Sequence, residues 1–241
     1  MAASTSPKPE LLMENMRTVS PTLAKYTEDT VEGELWKRAG LSPRDRSIAT
    51  VSALIARNLP IAMPRHLKLA LDNGVTPGEL SEIIVHMAFY AGWPSALSAV
   101  EVAAGIFSER GFSIDQLPDV SPQLLSIEEV VPDEAIRAGF VGTHVAPVSP
   151  ALAHYTDSLL YHEVWLRPGL APRDRSLVSV CALIATGVTQ FLPFYLGRAI
   201  THGLTKEEIS ELLAHLAFYS GWAASISSAV AVKAFFDSQS Q

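Results

Sequence analysis

Glu82, His86 and Tyr90 stand four residues apart, and the same three types recur at the same spacing as Glu211, His215 and Tyr219. On a helix this spacing puts a carboxylate, an imidazole and a phenol on one face, each able to touch the next. A Glu and a His one turn apart can ligate a metal, and two copies can pool four such groups. Carboxylate-bridged bundles use Glu-x-x-His spacing instead, and no third ligand recurs in both places, so no metal is expected. The same face equally makes a buried hydrogen-bonded network, with the carboxylate fixing the imidazole tautomer and the phenol finding a partner.

Two further constellations could carry chemistry. Arg44 and Arg46 flank Asp45 and recur as Arg173, Asp174 and Arg175. Paired arginines at a helix start can clamp a carboxylate or tie helices together, and their retention in both copies suits a structural role in each. His66 is different, because Tyr195 takes its place in the second copy, while Arg65 becomes Phe194 and Lys68 becomes Gly197. A His between two cations reads either as a solvated surface group or as a general acid or base beside an anion-holding group. The second copy would then have lost it because one site suffices.

The elements that position these residues come from a chain that contains itself twice. The stretch from Val19 to Phe107 returns from Val148 to Phe236 at a constant offset and without a gap, which suggests a fused dimer with a pseudo-two-fold axis. Each copy reads as a helical bundle. Ser42-Pro-Arg-Asp45 starts one helix, Pro64 to Leu71 forms another closed by Asn73-Gly74, and Thr76-Pro-Gly-Glu79 is a capping box opening a helix to about Ala91. Gly92-Trp93-Pro94 breaks the chain before a last helix, about Ser95 to Arg110. No strand alternation occurs, so the fold class is all-α. The divisions expected are a disordered start at 1–9, repeats at 10–110 and 148–241, and a linker at 111–147 that wraps one half against the other. Within it Asp133 to Ala138 can be helical.

Composition narrows the partners. A net charge of −7 with no basic cluster among aromatics argues against nucleic acid. The start Met1-Ala-Ala-Ser-Thr-Ser-Pro7 lacks the features of a secretory signal and Cys181 is alone, so cytoplasm is expected. Leu212 to Val232 has no Asp, Glu, Lys or Arg, but His215, Gly221-Trp222 and scattered hydroxyls argue against a membrane span. Helices apolar on most faces imply further self-association.

Taken together, Arg44-Asp-Arg-Ser47, His66-Leu-Lys-Leu-Ala-Leu-Asp-Asn-Gly-Val-Thr76, Glu79, Glu82 and Phe89-Tyr-Ala-Gly-Trp-Pro-Ser-Ala96 resemble the carboxymuconolactone decarboxylase family, which includes AhpD-type alkylhydroperoxidases. The resemblance covers nearly all of both repeats and implies two tandem AhpD-like bundles. The peroxidase branch has a Cys-x-x-Cys pair where this chain has Leu59 and Ala62, then Val188 and Phe191, and a Glu where it has Ser47 and Ser176. Without the thiols a dithiol relay is impossible. What remains resembles the decarboxylase branch, which also lacks the dithiol and uses no metal or organic cofactor. In 4-carboxymuconolactone the departing carboxylate is conjugated through an alkene to the lactone carbonyl, so the substrate is its own electron sink.

The resemblance then implies a carboxy-lyase for a small anionic unsaturated lactone or related ring acid. His66 would be proton donor or oxyanion partner, Arg44, Arg46 or Arg65 would hold the acetate carboxylate, Tyr90 and Trp93 would form a wall, and Glu82 with His86 would support them. It also implies a trimer of this fused chain, because single-repeat relatives form hexamers. The alternative from another class is a small-molecule-binding or scaffold protein that has kept the fold without the chemistry.

Overall fold

The computed structural model describes residues 9–239, so the expected disorder at 1–9 falls outside it except for Pro9. No strand forms among the described residues. The first repeat is entered through α1 (Pro9–Val19) and α2 (Pro21–Tyr26), then a π-helical stretch, Thr27–Glu32, and a 3₁₀ turn, Leu35–Lys37. Its bundle is α3 (Pro43–Ala56), α4 (Met63–Asp72), α5 (Pro77–Ala91) and α6 (Trp93–Arg110). The linker holds α7 (Ile127–Val130) and α8 (Glu134–His144). The second repeat follows the same order with α9 (Pro150–Tyr155), a π-helical stretch at Thr156–Val164, α10 (Pro172–Thr186), α11 (Leu192–Thr201), α12 (Lys206–Ser220) and α13 (Trp222–Gln239).

The helix starts follow from their caps. Ser42 Oγ accepts from the Asp45 amide at 3.0 Å with Pro43 in the first turn, and Thr76/Glu79 and Thr205/Glu208 both close as reciprocal capping boxes. α3 and α10 pack on each other at the centre, and each is buried along most of its length. Their polar residues tolerate this because Ser47, Thr50 and Ser52 donate to carbonyls four residues back. Across the axis the helix starts are clasped reciprocally, with Arg44 Nη2 on Asp174 at 2.7 Å and Arg173 Nη2 on Asp45 at 2.9 Å.

α5 crosses to pack on α10, and α12 crosses to pack on α3. This exchange places each Glu-His-Tyr face in the opposite half. The linker lies on the second half. Val130 and Val131 bury against Tyr161, Trp165 and Leu166, and the Leu125 amide donates to the Leu166 carbonyl at 2.8 Å. α8 is longer than the expected Asp133 to Ala138, because Arg137 and Val141, one turn apart, both find burial beneath it. Among the described residues no helix is long and apolar enough to cross a membrane.

Candidate active site

Two clusters form at the crossings, built on one plan. In the first, Glu211 on α12 reaches the arginines of the first repeat. Arg38 binds it through Nε at 2.7 Å and Nη2 at 3.0 Å, and Arg46 through Nη2 at 2.9 Å. In the second, Glu82 on α5 receives Arg167 Nε at 2.9 Å and Arg175 Nη2 at 2.6 Å. Burial opposes ionisation of Glu82, but its two arginines outweigh that and hold it below the usual carboxylate range. Arg38 likewise holds Glu211 down, with Arg46 adding to the effect.

The histidine one turn further on is oriented by a hydroxyl of the opposite repeat rather than by its neighbouring carboxylate. Thr50 donates its proton to the Arg46 carbonyl at 2.8 Å, so its oxygen accepts from His215 Nε2 at 2.7 Å. His215 Nδ1 then turns its lone pair toward Arg46 Nη1, 3.4 Å away. Burial, then Arg46 and His66, lower this imidazole to about 3, so it is neutral. His86 Nε2 lies 2.8 Å from the Ser179 hydroxyl while its Nδ1 has no partner, and burial pushes it well below the ordinary range. In each cluster an indole donates to the phenol of the crossing helix, Trp36 to Tyr219 at 2.7 Å and Trp165 to Tyr90 at 3.0 Å.

On this shared frame the clusters diverge most plainly at the position of His66. In the first, His66 on α4 is only 9% exposed, lying parallel to Trp36 at 6.2 Å and edge-on to Tyr219 at 5.3 Å between ring centres. Burial, with Arg65 adding to it, lowers His66 to about 4, and its Nδ1 has no hydrogen-bond partner. Arg65 pairs with Glu32 at the half-exposed rim. In the second cluster Tyr195 stands in that place, bonded to the phenols of Tyr90 at 3.1 Å and Tyr161 at 3.2 Å.

The model of the carboxymuconolactone decarboxylase family matches residues 21–105 and again residues 150–234. The chain belongs to this family. It is 30% identical over 105 residues to a 4-carboxymuconolactone decarboxylase of Acinetobacter baylyi, covering 44% of this chain and 78% of that one. It is 36% identical over 70 residues to a nitrosuccinic acid decarboxylase of Metarhizium robertsii, covering 29% of this chain and 49% of that relative's length.

In this family member the residues singled out in the sequence fall into separate groups. Arg46, Arg65 and His66 share the first cluster with Glu211, His215 and Tyr219, whereas Glu82, His86 and Tyr90 build the second. Arg44 is occupied by Glu79 and Asp174 at the pseudo-two-fold. Trp93 is 56% exposed and lies edge-on to Phe89. The two Glu-His pairs are thus split between clusters, and no three His, Cys, Asp or Glu side chains converge as metal ligands among the described residues.

Trp36, Arg38 and Gly40 escaped the sequence reading, although Trp-x-Arg-x-Gly-Leu recurs as Trp165, Arg167, Gly169 and Leu170. The glycines are required by close approach. A Cβ on Gly40 would lie 2.9 Å from Glu211 Cγ, and one on Gly169 2.9 Å from Glu82 Cγ.

Proposed function

We propose that this chain is a cofactor-independent carboxy-lyase for a small anionic acid of the 4-carboxymuconolactone type, working at His66. The observation that carries the proposal is a buried, neutral imidazole, free at Nδ1 and set between an indole and a phenol as His86 is, but with the Arg65 cation beside it where His86 has its Nε2 held by Ser179. The substrates in the two relatives' names share one chemical property. A conjugated lactone carbonyl in one and a nitro group in the other can accept the electron pair that CO₂ leaves behind. Such a substrate needs a held carboxylate, dry walls and a returned proton.

Arg65 is the cation that can change partners, since a half-exposed ion pair such as Arg65–Glu32 contributes only about 0–1 kcal/mol and exchanges readily for a substrate carboxylate. Arg46 and Arg38 stay on Glu211 and position the crossing helix. As the bond to the leaving carboxylate breaks, its electron pair moves into the conjugated carbonyl. A proton then passes from His66 to carbon, and CO₂ departs toward the Trp36 and Tyr219 rings. His66 must be an imidazolium to do this. In the free protein it is neutral above about pH 4, and the charge of a bound anion raises its affinity for a proton, so binding and proton uptake are coupled.

The test is CO₂ release from 4-carboxymuconolactone, nitrosuccinate and related acids, without added metal, by wild type and His66→Ala. Turnover that falls at least about 100-fold in the variant is expected. Wild type that binds these acids without releasing CO₂ would instead support the non-catalytic binding reading. One observation favours that reading, namely that every arginine beside His66 already has a carboxylate partner.

The proposal extends to assembly as a trimer of the chain. Trp93 and Leu97 on α6 are exposed, and Trp222 and Ile226 repeat them on α13. Trp93→Glu with Trp222→Glu should reduce the mass seen by sedimentation, and an unchanged mass would remove this face from the interface.

A further inference from the structure

The second cluster opens onto a cavity of about 310 Å³ that the proposed chemistry at His66 does not use. Tyr90, Tyr161, Tyr195 and Arg198 line its polar end, and Phe140 of the linker helix and Phe194 of α11 line its apolar part. This volume is at the small end of the range for ligand sites.

The polar end has donors to spare. Tyr90 donates to Tyr195, and Tyr195 and Tyr161 share one further hydrogen bond. Trp165 occupies an acceptor lone pair of Tyr90 and no phenol proton. Three phenolic protons therefore serve two bonds between phenols, which leaves one proton with no phenol to accept it. Nη1 of Arg198 is also buried and without a partner, while its other nitrogens hold Asp133 at 2.9 and 2.8 Å. The Arg198 guanidinium lies over the Trp165 ring at 4.6 Å, so its charge is shielded on one side by aromatic surface. Burial raises Tyr90 and Tyr195 above the ordinary phenol range, and both remain donors across the working pH range.

The charge balance decides between acceptor classes. Arg198 is matched by Asp133, and Arg137 on the cavity wall is matched by Glu134 and Asp157. No uncompensated positive charge is available to repay the desolvation of a carboxylate, whereas a neutral carbonyl loses little on burial and can accept the spare phenol proton. We propose that this cavity binds an uncharged one-ring compound bearing a carbonyl oxygen, an aromatic or cyclic ketone, quinone or lactone, with that oxygen at the tyrosines and the ring among the phenylalanines. The site is independent of the His66 chemistry.

Calorimetry with acetophenone as probe tests this on the full chain, with benzoate and ethylbenzene as the charged and the non-accepting analogues. Acetophenone should bind at least tenfold tighter than either. Leu152→Trp fills the cavity from a half-exposed wall position. It should weaken acetophenone at least tenfold, while His66→Ala leaves the affinity unchanged. Thermal melts confirm that the variants are folded. Equal affinity for acetophenone and ethylbenzene, a preference for benzoate, absence of binding, or sensitivity to His66→Ala without sensitivity to Leu152→Trp would each overturn the proposal.

Discussion

The cluster around His66 and the cluster around Tyr195 share a frame and differ in their contents. Both have a carboxylate on the crossing helix held by two arginines, a neutral histidine held by a hydroxyl, and an indole bonded to a phenol. What differs is the residue that the frame surrounds, together with its cover. His66 has Arg65 and Glu32 at a rim where the Arg38 side chain is 48% exposed, whereas Tyr195 has Phe194, Tyr161 and the linker above it, and Arg167 is only 11% exposed. Features kept in both halves therefore hold the crossing helices in place. Features that differ are where separate chemistries can be assigned.

The comparison is most sharply tested at the two carboxylates. Glu82→Gln leaves Arg175 charged and buried beside an amide, and breaking such a pair costs about 3–5 kcal/mol. Glu211→Gln should cost less, because its Arg38 partner reaches solvent. Urea unfolding of the two variants measures this, and equal losses would show that the clusters do not differ in burial.

The glycines come next. Gly169→Ala meets both Glu82 and Pro118, each with a carbon 2.9 Å from the new methyl, whereas the nearest atoms to a methyl on Gly40 all belong to Glu211. Overpacking of this kind costs about 1–3 kcal/mol. The larger shift in melting temperature is expected for Gly169→Ala, and the reverse order would mean that the linker yields easily at Pro118.

The buried histidines set a pH dependence common to both clusters. His66, His86 and His215 have folded values below the ordinary 6.5, with His66 at about 4 and His215 at about 3. Above pH 6.5 all three are neutral in both the folded and unfolded states, and their contribution to stability is fully present. Below it the unfolded chain takes up protons that the native state refuses, so stability falls as pH drops toward 4. Each histidine adds a slope of up to about 1.4 kcal/mol per pH unit. His66→Asn should reduce that slope by one histidine's share, measured by unfolding between pH 7 and 4.5.

The smallest difference expected is between Tyr90→Phe and Tyr219→Phe. Tyr90 bonds both Trp165 and Tyr195, while Tyr219 bonds Trp36, so losses of about 2 and 1 kcal/mol respectively follow from roughly 1 kcal/mol per hydrogen bond. Chemical denaturation that ranks them the other way would place the more rigid network at His66.

Much of the architecture was legible in the residue order. The internal repeat, the capping boxes at Thr76 and Thr205, and the Glu-His-Tyr faces follow from local pattern, because caps and helix faces depend on neighbours within four residues. The recurrence of Trp36, Arg38 and Gly40 was legible as well, but their purpose was not. A glycine needed because a glutamate lies against its backbone has no local signature, since Gly40 and Glu211 meet only after α12 has crossed.

The sequence by itself determined that two copies of one helical unit fold together, and that position 66 differs from position 195. Only the tertiary structure decided which face meets which. It set Glu211 and His215 beside Arg46, Glu82 beside Arg175 and His86 beside Ser179, across separations of 93 to 169 residues. Periodicity says which side chains share a face of one helix. The partner of that face is chosen by the packing of α5 on α10 and α12 on α3, where buried arginines must find carboxylates that their own repeat does not supply.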